Sequence, residues 1–352
     1  MYAGIAVARE LLSRRPDAQV SFAGTARGIE SRVLPREGFA LDLIRSGGLK
    51  GRSIVGRAQG AILVPVSLID AWHIVTRRRP HVVVGVGGYS SGPVVLIAAV
   101  RGVATMLLEQ NAVPGLTNRL LAPFVRAAAV AFAPTAGFFG RKAFVSGNPV
   151  RREFINPSGR QVSPAAADER KGAAILVFGG SQGAHAINMA MVDAAPRLAA
   201  SRVPLRITHQ TGERDLETVR AEYLRAGLDA MVEPFLYDMG RQIALADVIV
   251  CRAGATTLAE ITSAAKAAVL VPLPTATDDH QRKNAEALAS AGAAEVLLQS
   301  DATGATLADR ILALVTDGDR RRRLARAAGS LARPDAARVI VDHVMALVGE
   351  RP

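Results

Sequence analysis

Ala173-Ala174-Ile175-Leu176-Val177-Phe178-Gly179-Gly180-Ser181-Gln182-Gly183-Ala184-His185-Ala186-Ile187 is the stretch that decides the fold. Residues 173–178 are an unbroken apolar run, the pattern of a strand covered on both faces. The glycine-rich turn 179–184 follows directly, and an amphipathic helical pattern opens at Ala184. Strand, glycine turn and helix in that order form the first half of a βαβ unit. Glycines let backbone N–H groups approach an anion, and the helix start adds its positive dipole end. The spacing is not GxGxxG and no Lys follows as in a P-loop, so a plain β–α turn is the competing reading.

The same grammar runs outward in both directions. Apolar strand candidates lie at 19–23, 81–86, 105–108, 128–133, 205–209, 247–250 and 268–271, and helical patterns at 4–13, 184–200, 214–226, 255–265 and 281–291. Alternation of this kind predicts an α/β fold with parallel sheets. The segment GNPVRREFINPSGRQVSPAAADERKG, 147–172, is rich in Pro, Ser and charge and lacks periodicity, so it reads as a linker. The expected organisation is a first domain at 1–147, a linker at 148–172 and a second domain at 173–352. The last helix is free to pack back on the first domain. Two Rossmann-like, doubly wound domains facing across a cleft are the simplest architecture. The length, 352 residues, fits two domains of roughly 150 residues each. One feature is anomalous: the chain opens on a helical pattern at 4–13, where such a domain normally begins with a strand and a glycine turn.

Composition narrows the function classes. Hydrophobic residues at 49% and charged residues at 21% describe a globular protein. A single Cys excludes a disulfide framework and a Cys-based zinc site. The net charge is +12, but only Lys50, Lys142, Lys171, Lys266 and Lys283 are lysines; the excess is arginine. No zinc-finger spacing, aromatic RNP strand or basic heptad region accompanies it, so nucleic acid is not an expected partner. Anionic lipid or a diphosphate substrate suits such a surface equally. The most apolar stretch, 93–108, is interrupted by Arg101 and Gly102 and is too short to span a bilayer. The N-terminal residues lack the basic region and long apolar core of a signal peptide.

Five further stretches bear on chemistry. Gly87-Gly88-Tyr89-Ser90-Ser91-Gly92-Pro93 repeats the strand–glycine turn–helix arrangement in the first half, with Pro93 suited to a first helical turn. Two such loops suggest two anionic groups. Cys251 to Glu260 ends a strand and starts a helix on which Thr256 and Glu260 share a face. Glu260 either accepts the hydroxyl hydrogens of a ribose or serves the helix dipole, and Cys251 reads as a small core residue. Asp278-Asp279-His280-Gln281 precedes a helix, with either Asp a candidate N-cap and His280 a candidate base. Asp317-Gly318-Asp319 superficially matches a DxD metal motif but sits between helical patterns, where a turn is expected. No His, Asp and Glu set has metal-ligand spacing. The stripe Ile62, Leu63, Val66, Leu68, Ile69, Trp72 and Val75 ends in Arg77-Arg78-Arg79. Most of it reads as core, with Trp72 and the arginines as the membrane-surface candidates.

Six motifs, GGYSSGP, LEQNAVPGLTN, GNPVR, GGSQGA, CRAGATTLAE and DDHQRKNA, occur in this order, and together they resemble the MurG family. These bacterial enzymes move N-acetylglucosamine from UDP-N-acetylglucosamine to undecaprenyl-diphospho-N-acetylmuramoyl-pentapeptide, lipid I, making lipid II. The resemblance spans essentially the whole chain and implies a GT-B fold working without metal or other cofactor. It implies that Asn111, Arg151, Ser181, Leu236, the run Ala255, Thr256, Thr257, Leu258, Ala259 and Glu260, and Gln281 bind UDP-N-acetylglucosamine. Within that set Ser181 lies near the diphosphate, Leu236 contacts the uracil through its backbone, Glu260 meets the ribose and Gln281 the sugar. Gly87, Gly88, Tyr89, Ser90 and Gly92, and Gly179, Gly180, Gln182 and Gly183, are the diphosphate loops. It further implies lipid I as acceptor, the anionic cytoplasmic face of the cell membrane as a peripheral location, and cell-wall synthesis proteins as partners, with roles in cell shape and division. Two departures stand out. The family's first glycine-rich loop, with the His regarded as its base, would precede Met1, and Leu108 replaces the usual His before EQN. Glu109 and His280 are then the remaining candidate bases. A chain beginning at Met1 is expected to leave strand edges exposed and to turn over weakly or not at all. The alternatives are another UDP-sugar enzyme of the same architecture, such as a glycolipid glycosyltransferase or an epimerase, or a UDP-sugar-binding protein without activity.

Overall fold

The computed structural model describes residues 1–26, 28, 30–46, 54–151, 154, 172–180 and 183–349, with side chains of 54–62 outside that description. It divides into two compact units, Met1–Val150 with Arg333–Pro352, and Arg151–Ala332.

The first unit runs α1 (Tyr2–Arg14), β1 (Ser21–Gly24), α2 (Glu30–Arg36), β2 (Ala40–Leu43), α3 (Ile54–Arg78), β3 (Val82–Gly85), α4 (Ser91–Val100), β4 (Ala104–Glu109), α5 (Leu116–Leu121), β5 (Ala127–Val130), α6 (Ala136–Phe139) and β6 (Ala143–Val145). The second unit runs β7 (Ala173–Phe178), α7 (His185–Ala200), β8 (Leu205–Gln210), α8 (Leu216–Ala226), β9 (Asp229–Glu233), α9 (Met239–Leu245), β10 (Val248–Cys251), α10 (Ala255–Ser263), β11 (Ala267–Leu270), α11 (His280–Ser290), β12 (Glu295–Val296), α12 (Gly304–Thr316) and α13 (Gly318–Ser330). A final helix, α14 (Ala336–Gly349), returns to the first unit. Its Ile340, Val341 and Val344 bury against Val7 of α1 and Met106 of β4. The last segment of the second domain as read from sequence, 173–352, groups with the first unit, the packing allowed for its last helix, because α14 finds its apolar partner there.

All strand pairs are parallel. The second unit has one six-stranded sheet, order β12-β11-β10-β7-β8-β9. Its first strand, β7, sits at the centre with Ile175 opposite Val248 on one side and Ile207 on the other. Chain order reverses between β7 and β10, which is where ligands bind in doubly wound sheets. The first unit instead holds two separate sheets, β1-β2 and β3-β4-β5-β6. β4 and β5 are fully buried, as continuous apolar strands between helices should be, whereas Val82, Val83 and Val84 of β3 are only half-buried. Among the described residues β1 pairs only with β2, and β3 only with β4.

Strands β2, β6, β9 and β12 had no counterpart in the sequence reading. Each is short, and all but β6 carry a charge, at Asp42, at Asp229 and Glu233, or at Glu295. Asp42 and Glu295 are buried, but Arg77 and Arg78 pair with the first and Arg310 and Arg320 with the second. Paired charge lets a strand form where hydropathy alone argues against one.

Candidate functional site

In the second unit the glycine turn enters α7 at the central strand. Gly183 has φ +72°, and a Cβ there would lie 1.8 Å from the Thr211 carbonyl oxygen, so only glycine fits. Among the described residues no N-cap side chain caps α7 or α10, which leaves their first N–H groups suited to an anion. These two helices follow β7 and β10, the strands flanking the switch point. Ser181 and Gln182 lie outside the described residues.

Gln210, at the end of β8, is a residue that sequence reasoning missed. Its Nε2 donates to the Gly180 carbonyl at 2.7 Å and its Oε1 accepts the Leu236 N–H at 2.9 Å. One amide thus ties the glycine loop to the loop carrying Phe235, Leu236 and Tyr237. With its N–H taken by Gln210, Leu236 can meet a base through its backbone only by its carbonyl. A glutamine ending an apolar strand has no motif around it, so spacing alone gave no signal.

Beyond β10, Ala255, Thr256, Thr257 and Ala259 are partly exposed on α10, while Leu258 and Glu260 are buried. Glu260 lies in the second turn, past the reach of a first-turn dipole role, and accepts from Arg151 Nη2 at 3.3 Å. The Arg151 guanidinium also stacks 4.7 Å over the Phe154 ring. A buried carboxylate beside an exposed arginine has the chemistry to accept hydroxyl hydrogens. Cys251 is fully buried and burial pushes its thiol pKa up, so it is a core residue. Gln281 accepts the Leu273 N–H through Oε1 at 3.0 Å, leaving its amide N–H groups for a ligand. Asp278 and Asp279 both have φ +55°, and neither side chain caps α11. Strained backbone of this kind, beside Gln281, is commonest at functional sites. His280 is partly exposed, with Nδ1 2.5 Å from the Thr277 carbonyl. Asp317 caps α13 by accepting from the Arg320 N–H at 2.8 Å, so the DxD match is a helix start.

A polar chain runs inward from the same loop. Asn188 Nδ2 donates to Asp215 Oδ2 at 2.8 Å and to the Thr211 carbonyl at 2.9 Å. Its Oδ1 then accepts from His209 Nε2 at 3.1 Å, which leaves His209 Nδ1 to accept from the Tyr223 hydroxyl at 2.9 Å. Burial pushes His209 down to about 3, so the ring is neutral, and pushes Tyr223 up. His185, the first residue of α7, has Nδ1 3.0 Å from both oxygens of Asp215.

In the first unit, Gly87 and Gly88 take φ +83° and +84°, Tyr89 is exposed, and Ser91 Oγ donates to the Gly88 carbonyl at 3.0 Å. α4 begins after Ser90 without a side-chain cap. Gly92 packs so that a Cβ would lie 3.3 Å from Thr117. Glu109 corrects a sequence expectation. Its carboxylate is buried and accepts four N–H donors: the Asn111 backbone at 3.0 Å, Asn111 Nδ2 at 3.2 Å, the Gly115 backbone at 2.9 Å and Asn118 Nδ2 at 2.8 Å. A carboxylate so occupied shapes the 109–118 loop and is not placed to take a substrate proton.

Family models for the glycosyltransferase family 28 N-terminal and C-terminal domains match residues 1–130 and 174–340. A UDP-N-acetylglucosamine--N-acetylmuramyl-(pentapeptide) pyrophosphoryl-undecaprenol N-acetylglucosamine transferase of Anaeromyxobacter dehalogenans is 47% identical over 352 residues, covering 100% of this chain and 91% of the relative. The protein of that name from Pelobacter propionicus is 47% identical over 98% of this chain and 96% of its own. A crystal structure of Acinetobacter baumannii MurG superposes with a TM-score of 0.79 at 31% identity, over 98% of this chain and 95% of that one. The chain belongs to the MurG branch of glycosyltransferase family 28. UDP-GlcNAc 2-epimerase from Neisseria meningitidis shares the fold, TM-score 0.69, at 12% identity. The family thus has two parallel α/β domains here, and the epimerase likeness extends to architecture alone.

Proposed function

We propose that this chain transfers N-acetylglucosamine from UDP-N-acetylglucosamine to the muramoyl 4-hydroxyl of lipid I, forming lipid II. The observation that carries the reading is buried Glu260, held by Arg151, inside a helix that starts uncapped at the switch point. Glu260 accepts the ribose hydroxyls, Leu236 offers its carbonyl to the uracil, and Gln281 its amide to the sugar. Ala255 to Ala259 line the helix start, and Asn111 and Ser181 are assigned to the donor on the motif alone. The reaction is an inverting displacement: the acceptor hydroxyl oxygen bonds to C1 as the bond from C1 to the UDP oxygen breaks. N–H groups at the starts of α7 and α10 stabilise the charge that develops on the diphosphate. The hydroxyl proton needs a base; His280 is the candidate within the chain, and the resemblance puts another on a loop preceding Met1.

We place the protein peripherally on the anionic cytoplasmic membrane surface. Among the described residues no helix is long and apolar enough to cross a membrane. Val64, Ile69 and Trp72 of α3 and Val100 of α4 are exposed, and the Arg101 guanidinium lies 4.8 Å over the Trp72 ring. Apolar side chains rimmed by arginines suit an anionic interface. Release of UDP, measured with and without a short-chain lipid I analogue, tests the transfer. Acceptor-dependent release supports it; release indifferent to acceptor argues against it.

A further inference from the structure

We propose that Arg252 is a positioning residue for Gln281: through one shared peptide group it fixes the orientation of the Gln281 side-chain amide, and with it the preference of the site for a sugar-bearing nucleotide over UDP alone. The inference deepens the proposed function and rests on that reading for the identity of the ligand.

Arg252 follows β10 directly and is buried. Its Nη1 donates to the carbonyls of Val271 at 3.0 Å and Pro272 at 3.2 Å, and its Nη2 donates to Gln299 Oε1 at 2.7 Å. Among the described residues no carboxylate pairs with it, so neutral oxygens alone hold a cation taken out of water. Such a charge is costly to bury. A neutral donor would bury less charge against the same oxygens, so stability alone does not account for an arginine here.

What the cation reaches does account for it. The carbonyl of Pro272 and the N–H of Leu273 belong to the same planar peptide group. Arg252 holds the oxygen of that group, and its N–H donates to Gln281 Oε1 at 3.0 Å. Pro272 and Pro274 flank Leu273, and the fixed proline φ restricts rotation of this peptide. A cation on the carbonyl polarises the group and makes the N–H a stronger donor. Because Leu273 offers a donor, Gln281 must turn its oxygen to it, which leaves both amide hydrogens for another partner. A second bond fixes the same helix. Asn284, one turn further along α11, donates through Nδ2 to the carbonyl of Ala253, the residue after Arg252, at 3.3 Å. The start of α11 is thus registered on the end of β10 through two side chains.

The test compares Arg252→Met, which removes the charge and the donors at similar length, with Arg252→Lys, which keeps the charge but lacks the fork that reaches several oxygens. Each is made in the parent and in Gln281→Ala, and Kd is measured by calorimetry for UDP-N-acetylglucosamine and for UDP. Arg252→Met is expected to weaken UDP-N-acetylglucosamine about tenfold and UDP less than about twofold. Arg252→Lys is expected to fall between, and neither to cost anything further in the Gln281→Ala background. Retained UDP affinity shows that the variants are folded; should Arg252→Met not fold, Arg252→Lys carries the same comparison. The side-chain amide NMR signals of Gln281, assigned by their loss in Gln281→Ala, are read without ligand, and Arg252→Met is expected to shift or broaden them. Unmoved Gln281 signals overturn the proposal, as does a loss of affinity that is the same with and without Gln281. If the signals move while Gln281→Ala itself leaves both affinities unchanged, the positioning holds and it is the donor reading of Gln281 that fails.

Discussion

Glu109→Gln is expected to destabilise the first unit strongly while leaving the chemistry of the reaction intact. Oε1 accepts both Asn111 donors, and Oε2 accepts Gly115 N–H and Asn118 Nδ2. Whichever oxygen becomes NH2, two buried donors then face a donor. Hydrogen bonds to a charged group are worth about 1.5–3 kcal/mol each, so losing two costs about 3–5 kcal/mol after partial relaxation. For a unit of this size each kcal/mol lowers Tm by about 2–4 °C, a total near 10 °C. Trp72 is the sole tryptophan and lies on α3 of the first unit, so its fluorescence reports the melting of that unit. Glu109→Asp, with its shorter reach, is expected to fall between parent and Gln variant. The scaffold assignment predicts a lowered Trp72 melt and, below that melt, a pH–rate profile of unchanged shape. A melt within about 2 °C of the parent, with one limb of the pH profile gone, would refute it and return Glu109 to the role of base.

Three further outcomes follow from the second unit and one from α3. Glu260→Gln removes the charge proposed to meet the ribose, and UDP affinity by calorimetry is expected to fall about tenfold to a hundredfold; unchanged affinity would place the ribose elsewhere. Gln210→Ala frees the glycine loop from the Leu236 loop, and KM for the donor should rise about tenfold with kcat changed less. The unfolded His209 binds a proton below its ordinary 6.5, while the folded ring does so only near 3. The second unit therefore loses about 1.4 kcal/mol per pH unit as pH falls between those values, and His209→Gln should flatten that slope in denaturant titrations. Trp72→Ala should weaken sedimentation with anionic vesicles and leave neutral vesicles indifferent.

Alternating apolar runs and glycine turns made the α/β class and the longer strands legible, because buried parallel strands need continuous hydrophobicity whatever their neighbours are. Strands β2 and β12 were not legible, since their buried charges are paired with arginines supplied from elsewhere in the fold; β6 is only three residues long and β9 carries an exposed charge at each end. The opening helix α1 was legible in the helical pattern at 4–13. The return of α14 to the first unit was allowed for in the sequence reading, but the residues it meets, Val7 and Met106, were not. At the site, motif spacing marked Glu260 and Gln281 but said nothing of Gln210, whose part depends on two loops meeting at the end of β8. The EQN motif likewise drew attention to Asn111, while convergence of donors from 111, 115 and 118 on Glu109 exists only in three dimensions.

The most direct test is transfer of labelled N-acetylglucosamine from its UDP donor to a short-chain lipid I analogue, with the anomeric linkage of the product determined. The chain from Met1 and a form extended before it should be run together. Inverting transfer predicts β-linked label on the muramoyl 4-hydroxyl with UDP released in equal amount. Label recovered as free sugar or an epimer, or α-linked product, would contradict the account, as would no transfer by either form while UDP-N-acetylglucosamine still binds.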